Sequence, residues 1–189
     1  MTEWAAIVLA GGAGSRLGGV DKASLVVGGR TLLDYVLAAV AGAGQVVVVG
    51  PGEGGRVVWT REDPPGGGPV AGLAAGLAAL ADVDLAVVLA VDQPGVTAST
   101  VDRLRAAVGD GAGAVLVDAG GRLQWLAGVW RVDVLRAAMP GEPEGASLRS
   151  VLRPLAPAEV TALPGEADDV DTPEDLSTLH KRHTGRAVD

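Results

Sequence analysis

The 189-residue sequence has no cysteine, no phenylalanine and only 3% aromatic residues. The lack of cysteine excludes a disulfide framework and thiolate chemistry, and is compatible with a reducing compartment such as the cytoplasm. Without phenylalanine, the core has to be built from alanine, valine and leucine, which favours thin, closely packed layers of strands and helices. A hydrophobic content of 48% excludes a disordered chain, and the length predicts a single domain over 1–189.

Positive charge is also scarce. The chain has 15 lysines and arginines against 23 acidic residues, a net charge of −8, which disfavours binding to nucleic acid or to an anionic membrane. The apolar stretch from Trp4 to Ala10 lacks a basic start and is too short to span a bilayer, so neither a signal peptide nor a membrane helix is predicted. An anionic substrate would need local positive charge or a metal ion. The only lysines are Lys22 and Lys181.

Apolar runs alternate with helical patterns along the chain, which predicts an α/β fold with a mainly parallel sheet. Thr31 is expected to cap one helix, and Ser99 or Thr100 another. The predicted strands cover residues 5–10, 45–49, 57–59, 85–91, 114–118, 122–130 and 160–163. The predicted helices cover residues 31–41, 70–81, 99–108, 132–139 and 147–152, and a last helix begins at Pro173.

A glycine-rich loop follows the first strand. Residues 9–22 read LAGGAGSRLGGVDK, and glycines let backbone N–H groups approach phosphate oxygens because no Cβ holds the ligand away. The dinucleotide fingerprint fails, because Leu17 stands where its last glycine belongs and Gly50, not an acidic residue, ends the next long strand. A P-loop fails because Val20 stands where its lysine belongs. The loop therefore predicts phosphate binding of another kind.

This loop, with its Arg16 and its Asp-Lys ending, resembles the nucleotide-binding loop of nucleotidyltransferases that attach a nucleoside monophosphate to a phosphorylated acceptor. Three later segments agree in order: Asp63 with the GPVAG of 68–72, the DQP of 92–94 and the DVDTPEDL of 169–176. Together with the length, they most resemble the molybdenum cofactor guanylyltransferase family. The resemblance implies a three-layer αβα Rossmann-like nucleotidyltransferase fold with a mostly parallel central sheet. It also implies a nucleotide-binding half at about 1–95 and an acceptor-binding half at about 96–180.

The resemblance implies an enzyme that transfers GMP from GTP to the phosphate of molybdopterin, releasing pyrophosphate and forming the guanine dinucleotide cofactor. A phosphate nucleophile is largely ionised at neutral pH, so catalysis requires positioning and charge stabilisation more than a general base. Lys22 and Arg16 are the catalytic candidates, because both would place a cation against the triphosphate.

Asp92 directly follows an apolar strand, so we expect its carboxylate at the carboxyl edge of the sheet, where open α/β sheets bind ligands. Asp92 is a predicted Mg²⁺ ligand, since Mg²⁺ is commonly held by one or two carboxylates and by phosphate oxygens. The resemblance implies that Asp171 approaches the same Mg²⁺ from the C-terminal segment. Asp169 is the alternative to Asp171, and either could contact the acceptor. The resemblance implies nucleotide contacts at Leu9, Ala10, Gly11, Gly12, Lys22, Gly50, Asp63, Gly68, Gly72 and Asp92.

Several alternatives stay open. The same chemistry would serve a cytidylyltransferase of the same cofactor, or a transferase acting on another acceptor such as a phospholactate or a sugar phosphate. A nucleotide-binding subunit without activity is the alternative from another class, although binding alone would not require Lys22, Asp92 and Asp171 together. Trp125 stands where many relatives carry proline, which bears on the acceptor site.

The expected partners are GTP, molybdopterin and, transiently, cofactor-biosynthesis proteins. We expect a cytoplasmic monomer or homodimer.

Overall fold

The computed structural model describes residues 3–11, 13–14 and 20–184. Two predicted site residues, Gly12 and Arg16, lie outside the described residues. The strands are β1 (Trp4–Leu9), β2 (Ala13–Gly14), β3 (Val20–Asp21), β4 (Val26–Val27), β5 (Arg30–Thr31), β6 (Val46–Val49), β7 (Val58–Thr60), β8 (Leu85–Ala90), β9 (Gly113–Val117), β10 (Leu123–Arg131) and β11 (Ala158–Thr161). The helices are α1 (Leu32–Ala39), α2 (Pro69–Ala79), α3 (Ala98–Ala107), α4 (Val132–Ala138), α5 (Leu148–Leu152) and α6 (Pro173–Thr184).

Seven strands form one sheet in the order β11-β9-β10-β8-β1-β6-β7. Its strands pair in parallel except for β10, which runs antiparallel to both β8 and β9. The exception has a local cause: a tight turn through Gly120 and Gly121 joins β9 to β10, and the N–H of Asp118 donates to the Arg122 carbonyl at 3.0 Å. The predicted mostly parallel sheet is confirmed. Two short hairpins, β2–β3 and β4–β5, lie outside it.

Helices cover both faces of the sheet, so the molecule has the predicted three layers. Val8 of β1 belongs to the core cluster that includes residues of α1, α3 and α6. Its neighbour Ile7 belongs to the opposite cluster, which includes residues of α2, α4 and α5. Because both faces are covered, successive residues of a central strand are buried, which explains why these strands appear in the sequence as continuous apolar runs.

Hydroxyl side chains cap the two helices for which the sequence suggested a cap. The Thr31 cap of α1 is confirmed: Thr31 Oγ1 accepts the Asp34 N–H at 3.0 Å, and Asp34 Oδ2 accepts the Thr31 N–H at 2.9 Å. For α3 the prediction was wrong, because Thr97 is the cap and not Ser99 or Thr100. Thr100 instead forms the third-position partner of a capping box, its Oγ1 accepting the Thr97 N–H at 3.0 Å. None of the described helices is long and apolar enough to cross a membrane.

Candidate active site

The carboxyl ends of β1, β6 and β8 lie side by side in the middle of the sheet. The N–H of Ala10 donates to the Val49 carbonyl at 2.8 Å, and the N–H of Val91 donates to the Leu9 carbonyl at 3.0 Å. The strands therefore stay paired up to the point where the glycine-rich loop begins. Asp92 follows Val91 directly, so it lies at the carboxyl edge of the sheet, as the apolar run predicted.

Gly50 directly follows β6 and lies beside the start of this loop. A Cβ atom at Gly50 would lie 3.1 Å from the carbonyl carbon of Ala10 and 3.2 Å from the amide nitrogen of Gly11. Both are backbone atoms, which cannot move aside as the end of a long side chain can. Glycine at position 50 therefore lets the first loop residues pack directly against the end of β6.

Lys22 joins two carboxylates that are distant in sequence. It opens a short 3-10 turn, Lys22–Ser24, which Asp21 caps: the Asp21 carboxylate accepts the Ala23 N–H at 3.1 Å. The Lys22 Nζ donates to Asp92 Oδ2 at 3.2 Å and to Asp171 Oδ1 at 2.5 Å. Burial alone would lower the pKa of Lys22, but Asp171 and Asp92 outweigh it and raise that pKa. A charged ammonium thus lies between the two residues predicted to bind metal.

Contacts on both sides of Asp171 fix its position. On one side, the N–H of Val170 donates to the Asp92 carbonyl at 2.8 Å. On the other, the Asp175 carboxylate accepts the N–H groups of Asp171 at 3.1 Å and Thr172 at 2.8 Å, where α6 begins. The Thr172 hydroxyl and these N–H groups lower the pKa of Asp175. The DVDTPEDL segment therefore brings Asp171 to Asp92 by its own turn.

Asp169 is the third carboxylate of this edge. Partial burial, followed by repulsion from Asp92 and Asp171, raises the pKa of Asp169, while the Gln93 amide and Lys22 act in the opposite direction. In the part of the chain that the structure describes, no three acidic or histidine side chains form a group that could hold a metal ion. Asp92 and Asp171 could still bind Mg²⁺ if phosphate oxygens supplied further ligands.

The remaining predicted nucleotide contacts lie around the same half of the sheet. Asp63 is exposed in the loop after β7. Gly68 is the residue before α2 and has φ 90°, a value that favours glycine. Gly72 lies in α2, with Leu9 and Val49 side chains 3.5 and 3.6 Å from the place of a Cβ. Within residues 20–184, no hydrogen bond or ion pair joins these three residues to Lys22, Asp92 or Asp171, and their contact with nucleotide stays a prediction.

A cavity of about 850 Å³ lies beside the carboxylates. Its walls come from α1, α6 and residues 94–98 and 164–170, and both Arg122 and Asp169 contribute to its lining. Asp169 therefore lines the cavity and also interacts with the charged residues Lys22, Asp92 and Asp171. The sequence did not predict this cavity, because its walls come from several separate parts of the chain.

Glu166 attaches the segment before Asp169 to α3, and sequence reasoning missed it. Its buried carboxylate accepts the Thr100 hydroxyl at 2.5 Å, Arg103 Nη1 at 2.8 Å and the Leu163 N–H at 2.7 Å. Burial alone would raise the pKa of Glu166, but these hydrogen bonds and the Arg103 charge hold it below its ordinary value. The acidic tract from Glu166 onward is thus a structural part of the site.

The loop after Asp92 packs on the same segment by direct backbone contact. A Cβ atom at Gly95 would lie 1.9 Å from the Gly165 carbonyl oxygen, so residue 95 has to be glycine for this approach. Together with the Glu166 contacts, this packing holds residues 163–171 against the end of β8. An ammonium, three carboxylates and a glycine-rich loop at one sheet edge can bind a polyphosphate with a divalent cation.

Comparisons with known proteins agree with this geometry. Residues 6–160 match the family described as MobA-like NTP transferase domain. A molybdenum cofactor guanylyltransferase from Acidiphilium cryptum is 38% identical over 148 residues, which cover 72% of each chain.

Two solved structures share the fold. One is the molybdopterin-guanine dinucleotide biosynthesis protein A from Archaeoglobus fulgidus, with a TM-score of 0.74, 19% identity and coverage of 96% of this chain and 99% of that chain. The other is 2-C-methyl-D-erythritol 4-phosphate cytidylyltransferase from Thermus thermophilus, with a TM-score of 0.73, 23% identity and coverage of 94% and 98%. At such identities they establish the fold alone, and the fold does not distinguish a guanine from a cytosine nucleotide.

Proposed function

The chain belongs to the family of MobA-like NTP transferase domains, and we propose that it is a nucleotidyltransferase that transfers GMP from GTP to the phosphate of molybdopterin. An acceptor phosphate oxygen forms a bond to the α-phosphorus of GTP, the bond from that phosphorus to the bridging oxygen breaks, and pyrophosphate leaves. The observation that carries this proposal is the contact of Lys22 with both Asp92 and Asp171 at the edge where the glycine-rich loop begins.

Backbone groups and cations would bind the triphosphate. We propose that N–H groups of the glycine-rich loop, including Gly11 and Gly12, approach the phosphate oxygens, and that Lys22 and Arg16 supply positive charge. Support comes from the Lys22 geometry and from the close packing of the loop start against Gly50. The further contacts proposed for the nucleotide are Leu9, Ala10, Asp63, Gly68, Gly72 and Asp92.

Asp92 and Asp171 are the proposed Mg²⁺ ligands. Their carboxylate oxygens are the hard donors that Mg²⁺ prefers, and both already contact one cation, the Lys22 ammonium. When bound, Mg²⁺ would neutralise part of the triphosphate charge. Lys22, which contacts both ligands, would hold these carboxylates in place before the nucleotide binds and would donate hydrogen bonds to phosphate oxygens afterwards.

The cavity beside Asp169 is the proposed acceptor site. Residues 94–98 and 164–170, which form much of its walls, fall almost entirely within the half predicted to bind acceptor, about 96–180. A phosphate nucleophile needs no general base, so the protein has to align it with the α-phosphorus and stabilise charge. We also propose a cytoplasmic location, a monomeric or homodimeric state and transient contact with cofactor-biosynthesis proteins.

The test is to incubate the purified protein and Mg²⁺ with molybdopterin and, separately, GTP, CTP, ATP or UTP, and to identify the product by mass spectrometry. We expect a guanine dinucleotide and released pyrophosphate with GTP, and neither with Asp92→Ala. A cytosine dinucleotide from CTP without product from GTP would contradict the choice of nucleotide. Lack of a dinucleotide with all four triphosphates would contradict molybdopterin as acceptor.

A further inference from the structure

A buried glutamine lies beside the carboxylates of the candidate active site. Gln93 follows Asp92 and is only 4% exposed. Its Nε2 donates to Gln124 Oε1 at 3.4 Å, and its amide also interacts with the Asp169 carboxylate. In the described part of the chain, Gln93 Oε1 is buried and has no hydrogen-bond partner. An orphaned buried oxygen is costly, so its presence calls for a reason.

A chain of hydrogen bonds determines how the Gln93 amide is turned. The Asp118 carboxylate accepts the N–H groups of Gly120 at 2.8 Å and Arg122 at 2.9 Å, and it also accepts Gln124 Nε2 at 3.1 Å. Because an ionised carboxylate only accepts, Gln124 must present its NH₂ group to Asp118 and its carbonyl to Gln93. Gln93 must then turn its own NH₂ group toward Gln124.

The same orientation suits Asp169. Gln124 Oε1 and the Asp169 carboxylate both offer oxygen atoms. If the Gln93 amide were turned by half a rotation, its own oxygen would face these two acceptors in place of its NH₂ group, which is unfavourable. The orphaned Oε1 of Gln93 is therefore the consequence of directing its NH₂ group to these two acceptors. This matters for Asp169, which Asp92 and Asp171 repel. The Gln93 amide opposes that repulsion.

An irregularity in β10 brings Gln124 to this position. The pairing register of β10 with β9 shifts between Gln124 and Gly128, so the strand is bulged where it passes the carboxyl end of β8. Bulges redirect side chains and occur frequently next to active sites. Trp125 follows Gln124 within the bulge. The hydrogen-bond chain therefore runs from the β9–β10 turn through the bulge to Gln93. The Val170 N–H, next to Asp169, donates to the carbonyl of Asp92, next to Gln93, at 2.8 Å, so the backbone places Asp169 beside Gln93.

We propose that Gln93, oriented by Gln124 and Asp118, is a positioning residue that holds the Asp169 carboxylate toward the acceptor cavity. This inference rests on the proposed function, because it assigns Asp169 to the acceptor. A carboxylate held in this way accepts hydrogen bonds from N–H groups, which a nitrogen heterocycle such as the pterin of molybdopterin supplies. Gln93 therefore acts on acceptor recognition and not on the binding of GTP.

The main test is Gln93→Leu, which removes the amide and keeps a similar volume. We expect the KM for molybdopterin to rise about tenfold, the loss of roughly one hydrogen bond to a charged group, with the KM for GTP changed less than about twofold. The melting temperature should stay equal or rise, since the substitution also removes the orphaned oxygen. A merely structural role would instead lower the melting temperature and leave the KM for molybdopterin unchanged.

Two further variants sharpen the test. Gln124→Leu breaks the chain at a half-buried position, and a rise of about threefold in the KM for molybdopterin is expected, because Gln93 keeps Asp169 as a partner. Gln45→Leu is the matched control: Gln45 Nε2 donates to the Ala79 carbonyl at 3.2 Å and its Oε1 accepts the Ala81 N–H at 2.7 Å, before β6 begins. Gln45→Leu should lower the stability without changing the KM for molybdopterin or the KM for GTP.

The outcomes separate the two proposals. If the wild-type protein makes the guanine dinucleotide but Gln93→Leu keeps the wild-type KM for molybdopterin, the role of Gln93 is contradicted and the proposed function stands. An equal rise in both KM values would also contradict it, because Gln93 would then serve the nucleotide. If the wild-type protein makes no dinucleotide from molybdopterin, both proposals fail.

Discussion

Lys22 determines the local charge of the site. Its ammonium contacts the carboxylates of Asp92 and Asp171, and Asp169 adds another negative charge nearby. One cation against three carboxylates leaves this edge of the described structure negative. A triphosphate would be repelled unless further positive charge accompanied it, which favours entry of the nucleotide together with a divalent cation.

Replacing Lys22 with methionine should separate charge from side-chain volume. We expect Lys22→Met to lower kcat/KM for GTP on the order of 100-fold, because a preorganised cation that stabilises developing phosphate charge is lost. The measurement is steady-state release of pyrophosphate at saturating acceptor. Lys181→Met, on the exposed side of α6, is the matched control and should retain wild-type turnover. Lys22→Met turnover within twofold of the wild type would contradict the role given to Lys22.

The sequence predicted individual residues of the site better than their partners. Asp92 could be found because an apolar run ends there, and Lys22 because a recognisable loop ends there. The contact of Gln93 with Gln124 and that of Glu166 with Thr100 could not be found, since they join residues 31 and 66 positions apart. The spacing of residues in the sequence predicts a single helix or strand, whereas these hydrogen bonds depend on how several helices, strands and loops pack together.

At the scale of elements, α2 lies very close to the sheet. A Cβ atom at Gly76 would lie 2.5 Å from Ile7 Cγ2 and 3.2 Å from Val49 Cγ2. At Gly72 the nearest side-chain atom would be 3.5 Å away, an ordinary van der Waals contact. Gly76 therefore determines how closely α2 packs, whereas Gly72 has room for a methyl group.

Alanine at these two positions should have opposite effects on stability. Gly76→Ala is expected to lower the free energy of unfolding by about 1–3 kcal/mol, because the core has to move to admit a methyl group. Gly72→Ala should leave it unchanged or raise it by up to about 1 kcal/mol, since alanine favours a helix more than glycine does. Urea denaturation measures both. Equal destabilisation by the two variants would contradict this difference, and a higher KM for GTP in Gly72→Ala would support the predicted nucleotide contact.

Most helices and strands of the sheet could be predicted from the sequence, because apolar periodicity extends over many residues. The error at α3 arose where several hydroxyl residues compete for one cap: Thr97, Ser99 and Thr100 are all suitable, and the turn before the helix selects Thr97. The hairpins β2–β3 and β4–β5 were not predicted. Strands of two residues carry no periodic signal, so their pairing depends on contacts elsewhere in the chain.

At the scale of the whole molecule, the last third of the chain returns to the edge where the first strand ends. The polypeptide passes through β11 at the far side of the sheet and then crosses α3 before it reaches Asp171. Glu166 makes the principal polar contacts of this crossing, and Arg103 Nη2 adds a hydrogen bond to the Thr161 carbonyl at 2.8 Å. Stability of the whole fold and geometry of the site are thus coupled through Glu166.

Glu166→Gln should reveal this coupling through its pH dependence. The folded protein holds the pKa of Glu166 below the ordinary value of 4.5, so it binds fewer protons than the unfolded chain near that pH. The stabilisation is therefore complete above the unfolded pKa and is lost as the pH falls through the folded pKa. At about pH 7 we expect Glu166→Gln to lower the free energy of unfolding by about 2–4 kcal/mol, because an amide cannot accept from all three donors.

Urea denaturation of the wild type and Glu166→Gln between about pH 3 and pH 7 measures this difference, and groups that titrate equally in both proteins cancel. The difference should be constant above about pH 6 and shrink below 4.5, the value from which the pKa of Glu166 is lowered. Because Glu166 also positions the segment that carries Asp171, turnover at pH 7 should fall in the same variant even at temperatures where it remains fully folded. A stability difference that grew toward low pH would require a raised pKa for Glu166 and would contradict the hydrogen bonds assigned to it.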